Sequence, residues 1–380
     1  MKLGQVFDPR NNALNALRLA LATSVILWHS FPLTGRMPPP AVTQLIVMVG
    51  VDGFFAISGF LITASWLSRP QVREYLVARA LRILPGLYVC LIVTAFVIAP
   101  IGEAIQGRSA VKLLLSSGPI EYVLKNLAVV HFHFGVGGTP RGIPVAGYWD
   151  GSLWSLIYEV GCYLAVVGLG IIGLVSRRWV FPVLFLLALI AALSLPPLPT
   201  ATEGLWTVPQ LIARCFLMFF AGALLYRFRN EIPARWSLVV LSVAIIVVAA
   251  DLLPDYRVVA AIPLAYAVIV SGALIHSKRL RLRTDLSYGM YIYAFPIQQL
   301  LLIVGLVWLN PLVFFVVSTI ATLPLAALSW FLVEKRAMSL KSRLKQKWSA
   351  PATVETAAEV DTGTDRLVSD RPTPGVRDNT

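Results

Sequence analysis

Ten stretches of mostly apolar residues, each roughly 17 to 25 long and set between short charged or Pro/Gly-rich breaks, leave this chain one kind of solvent. Hydrocarbon offers a backbone N–H or C=O no partner, so a stretch of that length has to close its hydrogen bonds on itself as a helix. The runs fall near residues 13–31, 45–67, 83–101, 152–175, 179–195, 209–226, 236–253, 258–275, 286–306 and 312–333. With 57% hydrophobic residues and 13% charged, against about 25% charged in a soluble domain, one water-soluble core is excluded. The expected fold is all-α, a polytopic membrane protein of about ten transmembrane helices. The first run carries Arg18 and His29 and is followed by no small-residue cleavage site, so it reads as a span and not as a signal peptide. Residues 1–348 form the expected transmembrane domain. After Trp348 the composition turns to Ala, Thr, Pro, Asp and Glu, too poor in large apolar side chains for a core, and 349–380 reads as a disordered cytoplasmic tail.

The net charge of +13 resembles that of a nucleic-acid binder until its placement is read. Alternate loops carry twenty-one Lys and Arg on one side and six on the other. That asymmetry is the positive-inside signal, which places both termini in the cytoplasm and calls for no nucleic-acid partner. The expected location is the bacterial inner membrane, with membrane lipids around a multi-pass bundle. Residues 102–151 form the long outer segment, whose Pro, Gly and aromatic content suggests ordered structure at the outer surface. Cys90, Cys162 and Cys215 stand alone in apolar runs and read as small core residues. No repeat and no matched pair of broken helices marks the chain as an inverted-repeat transporter.

A charge near the middle of a span costs about 2.5–3.5 kcal/mol on insertion scales and therefore needs a reason. Spans five to ten look nearly free of such charge, whereas the first four hold Arg18, His29, Asp52 and Glu159, with Arg79 and Arg82 at the mouth of the third. Arg18 and His29 are eleven residues apart. Eleven steps of about 100° bring them to one helix face, about 16 Å apart, so that one stripe can touch both ends of a long substrate. Read separately, Arg18 can snorkel to the inner interface and His29 can bond a backbone carbonyl at the outer one. Arg79 and Arg82 share a face at i, i+3 just before Pro85; two planar donors there suit a phosphate, as they also suit ordinary interfacial anchoring. Asp52 and Glu159 both enter from the outer side, near the level of His29. A carboxylate beside a histidine raises its basicity and builds a general base for a hydroxyl; the alternative is an ion pair locking helices together. Gly50, Gly53 and Gly59 fit either close helix contact or room for a ligand. His131 and His133 alternate as on a strand without a third ligand nearby, so no metal site is expected, and His276 belongs to a solvated basic loop.

Taken together these motifs resemble the integral-membrane acyltransferase-3 family, which O-acylates sugars and other hydroxyl acceptors. The resemblance runs from about Leu14 to Leu344. It rests on Arg18-x10-His29, on Gly50-Val-Asp-Gly-Phe-Phe-Ala-Ile-Ser-Gly-Phe-Leu61, and on Arg79-x-x-Arg82 before Ile83-Leu-Pro85. It continues through Trp154-Ser-Leu-Ile-Tyr-Glu159 and the late Ser287-Tyr288-x-x-Tyr291 pattern ahead of Glu334. Many relatives carry His-Pro where this chain has Phe295-Pro296, so a second histidine is not expected near the site.

The resemblance implies that His29 is the catalytic base and that Arg18, Arg79 and Arg82 attend an acyl-coenzyme A, most simply acetyl-CoA, entering from the cytoplasm as co-substrate, with no bound cofactor. Asp52 or Glu159 would hold the imidazolium. Ser58, Tyr158 or an unwound backbone amide would contact the oxyanion or acceptor. The expected function is transfer of an acyl group to a hydroxyl of a cell-envelope or exported saccharide. A proton-coupled or small-solute transporter is the rival reading, since intramembrane Arg, His, Asp and Glu are expected there too.

Overall fold

The computed structural model describes residues 1–129, 133–197, 207–282 and 284–340, so the expected tail lies outside the described residues. Every named element among them is helical. In order they are α1 (Leu3–Val6), α2 (Leu14–Leu33), α3 (Pro40–Ser68), α4 (Val72–Val93), α5 (Ala99–Ile105), α6 (Ala110–Leu114) and α7 (Gly118–Asn126). The second half holds α8 (Leu156–Ile171), α9 (Val180–Ser194), α10 (Val208–Arg227), α11 (Trp236–Leu252), α12 (Arg257–Leu274), α13 (Ser287–Ile303) and α14 (Pro311–Leu328). A π turn over Thr94–Ile98 joins α4 to α5, and another over Ser329–Glu334 extends α14.

Seven helical segments, Leu14–Leu33, Val42–Ser68, Val72–Ile105, Leu153–Ile171, Val208–Arg227, Arg257–Leu274 and Pro311–Leu340, are long and apolar enough to cross a membrane. The apolar helices α9 and α11 are shorter. The run at 286–306 becomes α13, only 17 residues long, with Tyr288, Tyr291, Tyr293, Gln298 and Gln299 all buried. It can carry these polar side chains because protein surrounds it on most sides, packing it against α2, α4, α5 and α14. The reverse pattern marks the periphery. Leu186, Leu187 and Ile190 of α9, Val240, Leu241 and Val247 of α11, and Leu312, Val316 and Ile320 of α14 point outward, as helices facing hydrocarbon require.

Local chemistry sets the ends. Thr207 and Gln210 form a capping box at the start of α10, and the Asn310 side chain accepts the Leu312 N–H ahead of Pro311 at the start of α14. Gly173 (φ +74°) and Gly305 (φ +104°) take the left-handed conformation just past α8 and α13, where a side chain would strain the turn. The third expected span begins eleven residues early, at Val72, because Arg73, Arg79 and Arg82 interrupt the apolar run without interrupting the helix.

The basic loops gather at one end of the bundle, called here the basic end, where α2, α4, α9, α11 and α13 begin. The described residues of the 102–151 segment pack at the other end, where Gln299 of α13 donates to the Val145 and Tyr148 carbonyls. There Trp149 is fully buried and its Nε1 donates to Thr139 Oγ1 at 2.8 Å. All three cysteines are buried thiols.

The closest helix contact is α3 on α10. A Cβ added at Gly59 would stand 1.8 Å from the Phe219 carbonyl oxygen, and one at Gly222 would stand 1.9 Å from that of Ala56. Backbone meets backbone there, which only glycine permits. Gly222→Ala is accordingly expected to push the two helices apart and lower stability by about 1–3 kcal/mol. Thermal unfolding in detergent followed by size-exclusion fluorescence measures this, and an unshifted midpoint would remove the contact from the list of what holds the bundle.

Candidate active site

Four charged side chains from distant parts of the chain meet near the basic end. Arg18 of α2 places Nη1 2.7 Å from Asp285 Oδ2, and Arg82 of α4 places Nη2 2.6 Å from the same oxygen. The other arm of Arg82 reaches Glu334 Oε2 at 3.2 Å, while Glu334 Oε1 accepts from Ser329 Oγ. Asp285 sits in the loop ahead of α13, where its second oxygen accepts the Ser287 N–H and hydroxyl. Burial alone would raise the Asp285 pKa; the two guanidinium groups and Ser287 outweigh it and hold the carboxyl at about 2, so it stays charged. Asp285 was not visible in the sequence as a site residue because it follows a basic loop and looks solvated there.

Arg79, one turn from Arg82, is placed differently. Its guanidinium lies 5.9 Å from the rings of Tyr75 and Tyr163. Its Nε is buried without a hydrogen-bond partner, and no ion pair to it exists among the described residues. It lies on the wall of a cavity shared with Arg18, Arg82 and Ser58.

That cavity leads inward. Arg18 and Ser58 also line a second one, walled by Phe54, Ser155, Glu159, Tyr288 and Tyr291. Here two expected residues from opposite halves of the fold touch: Ser58 Oγ donates to Glu159 Oε1 at 3.0 Å, and the Tyr163 hydroxyl donates to the same oxygen. The Tyr291 hydroxyl donates to the Ser152 carbonyl at 2.6 Å and lies 2.7 Å from Ser155 Oγ. Tyr158 is not among these lining residues; it packs on Trp154.

His29 is buried, as a functional residue on α2 should be, but the carboxylate expected beside it is absent among the described residues. Its ring stands edge-on to Phe295 with centroids 4.9 Å apart, and Nδ1 is buried without a hydrogen-bond partner. Phe295 follows Tyr291 by one turn of α13, and His29 is not among the residues that line the two cavities.

Asp52 is turned elsewhere. Its Oδ2 lies 2.7 Å from Arg257 Nε and accepts from the Tyr256 hydroxyl at 2.5 Å. Arg257 Nη1 continues to Asp255 Oδ1 at 3.2 Å, and Asp255 Oδ2 takes Arg214 Nε at 2.6 Å. Burial pushes the Asp255 carboxyl up, but its two arginines prevail and hold it below the usual carboxylate range. Two arginines therefore balance two aspartates across α3, α10 and the start of α12. The expectation that the later spans are nearly free of deep charge fails here, since Arg214 is 1% exposed and Arg257 4%. Arg257 had been counted as a loop residue, and Arg214 sits in an otherwise apolar run that hides it.

The remaining candidates stay at the surface or outside view. His276 is exposed, its Nδ1 2.7 Å from the Leu274 carbonyl, and His133 stands 4.0 Å from exposed Glu121. His131 lies outside the described residues. No group of three metal-ligating side chains occurs among the described residues.

Known proteins match the chain over most of its length. The acyltransferase-domain model of the acyltransferase-3 family matches residues 11–331, which include every lining residue of the two cavities just described but Met338. An O-acetyl transferase of Shigella phage Sf6 is 25% identical over 355 residues, covering 88% of this chain and 98% of that protein. Nodulation protein 10 of Rhizobium leguminosarum bv. viciae is 27% identical over 362 residues, covering 88% of this chain and 95% of its own. No solved structure matches. A family model matched over most of a bundle of apolar helices, beside an O-acetyl transferase similar along almost its whole length, places the chain: it belongs to the acyltransferase-3 family and is an integral-membrane O-acyltransferase.

Proposed function

We propose that the enzyme moves an acyl group, most simply acetyl, from cytoplasmic acyl-coenzyme A to a hydroxyl of a cell-envelope or exported saccharide. In this reading ten helices cross the bacterial inner membrane, both termini are cytoplasmic, and the basic end faces the donor's compartment. The observation that carries it is that two cavities share Arg18 and Ser58 on their walls. They supply an unpaired cation, Arg79, where a phosphate would enter, and hydroxyl and carboxylate groups further in, where a thioester would end.

The chemistry is then a direct transfer. The acceptor hydroxyl gives its proton to the His29 imidazole as its oxygen attacks the thioester carbonyl; the intermediate collapses, the carbon–sulfur bond breaks, and the thiolate leaves and is reprotonated. Glu159, held by Ser58 and Tyr163, is the carboxylate facing the cavity, whereas Asp52 is engaged with Arg257 and serves to fix α3. Ser58 donates to Glu159, and the Tyr291 and Ser155 hydroxyls are engaged with the Ser152 carbonyl and with each other, so whichever of the three serves the developing oxyanion has to redirect its proton to it.

Arg79→Ala is expected to weaken acetyl-CoA binding about tenfold to a hundredfold, as loss of a charge-assisted phosphate contact should. The acceptor's KM should be unchanged. Calorimetric titration of the purified protein in nanodiscs reads the first quantity and steady-state kinetics the second. Failure of the wild-type protein to bind acetyl-CoA at all would overturn the donor assignment. Mass analysis of envelope glycans with and without the gene identifies group and acceptor together.

A further inference from the structure

A third cavity opens at the basic end, beside the two that form the candidate site. Arg10, Asn11, Asn12 and Asn15 from the start of the chain wall one side, Arg281 from the loop before α13 another, and Leu61 of α3 its floor. Leu61 also lines the Arg79 cavity, so along α3 the three spaces follow one another from Leu61 through Ser58 to Val51, a rise of about 15 Å. The local structure holds the walls in place. Asn15 Nδ2 donates to the Leu282 carbonyl at 3.0 Å and pins the loop to α2, while Asp8 and Asn12 satisfy backbone N–H groups in the turn before it.

The side chains left over are the informative ones. No ion pair to Arg10 or Arg281 exists among the described residues, and no carboxylate lines the cavity. Arg281 donates through Nη2 to the His276 carbonyl, yet its Nε is buried without a partner. Asn11 Oδ1 is buried and equally unpartnered. Two uncompensated guanidinium groups call for an anion, and the unpartnered Asn11 oxygen suits a base with an exocyclic amine to donate.

We infer that this cavity holds the nucleotide end of the donor, its 3′-phosphorylated ribose on Arg10 and Arg281 and the amine of its adenine on the Asn11 oxygen, while the pantetheine arm continues past Arg79 to the inner cavity. This rests on acyl-coenzyme A being the donor. The wild-type protein is titrated with acetyl-CoA, its 3′-dephospho form and acetyl-phosphopantetheine, in nanodiscs of phosphatidylcholine and again with phosphatidylglycerol. Removing the 3′-phosphate is expected to weaken binding about tenfold or more. Arg10→Ala with Arg281→Ala should erase that preference and weaken acetyl-CoA by a similar factor, with acetyl-phosphopantetheine bound as by wild type. Equal affinity of wild type for acetyl-CoA and its dephospho form would overturn the inference while leaving the donor assignment intact. Equal loss of all three ligands in the double variant would overturn it as well. Phosphatidylglycerol retention lost in the variant, with acetyl-CoA affinity unchanged, would show a lipid headgroup site instead. No binding of acetyl-CoA by wild type removes both readings, and the unmutated titrations decide even if the double variant fails to fold.

Discussion

His29→Ala is expected to lower acyl transfer by about 10²–10⁴-fold, the range a lost general base produces, without moving the protein's elution or thermal midpoint much. The second half follows from the structure. Among the described residues the His29 side chain makes no hydrogen bond that a mutation would break; its Nδ1 is buried and unpartnered, and its ring contact is with Phe295. An unpaired buried polar atom costs stability, so a side chain retained in that state is retained for another purpose. Donor affinity should also survive, because Arg79 and the pair formed by Arg18 and Arg82 lie toward the other end of the cavities. Radiolabel transfer with a saturating donor, beside a donor titration, separates the two effects. Full activity would remove His29 from the chemistry, and lost donor binding would assign it to the donor site.

Asp52→Ala is expected to destabilise the bundle by about 3–5 kcal/mol, because it strips a buried arginine of its partner. Arg257 would keep only Asp255, which Arg214 already shares, leaving one buried positive charge in excess. A fall in thermal midpoint on the order of 10 °C follows for a chain of this class. Replacing both ends, Asp52→Ala with Arg257→Leu, should recover most of the loss, since removing a whole buried pair is far less damaging than removing half of it. Had Asp52 served His29 as the sequence suggested, Asp52→Asn would slow turnover in a fully stable protein, and Arg257→Leu would rescue nothing. The double-variant melt distinguishes these.

The spans were legible because hydrocarbon imposes one local rule, and the intramembrane charges were legible because they violate it. Arg18 and Arg82 were found that way and do stand together, and Ser58 and Glu159 meet across 101 positions of sequence. Which charge pairs with which was not legible. Asp52 and His29 share a depth, but packing of α3 against α10 and α12 turns the carboxylate toward Arg257 instead. Asp285 and Glu334 lay at the ends of helices, where a charge looks solvated until tertiary structure closes over it. Arg214 was concealed by an apolar context, and α13 was taken for an ordinary span although its tyrosines and glutamines make it the most enclosed of the ten.

A structure of the protein with a non-reactive acetyl-CoA analogue in a lipid nanodisc bears most directly on the mechanism. The pantetheine arm should run from Arg79 past Arg18 and Ser58, with the acyl group near Tyr291 and directed toward His29. An analogue seated at the opposite end of the bundle, or with its acyl group away from these residues, would contradict the donor path and the assignment of His29 together.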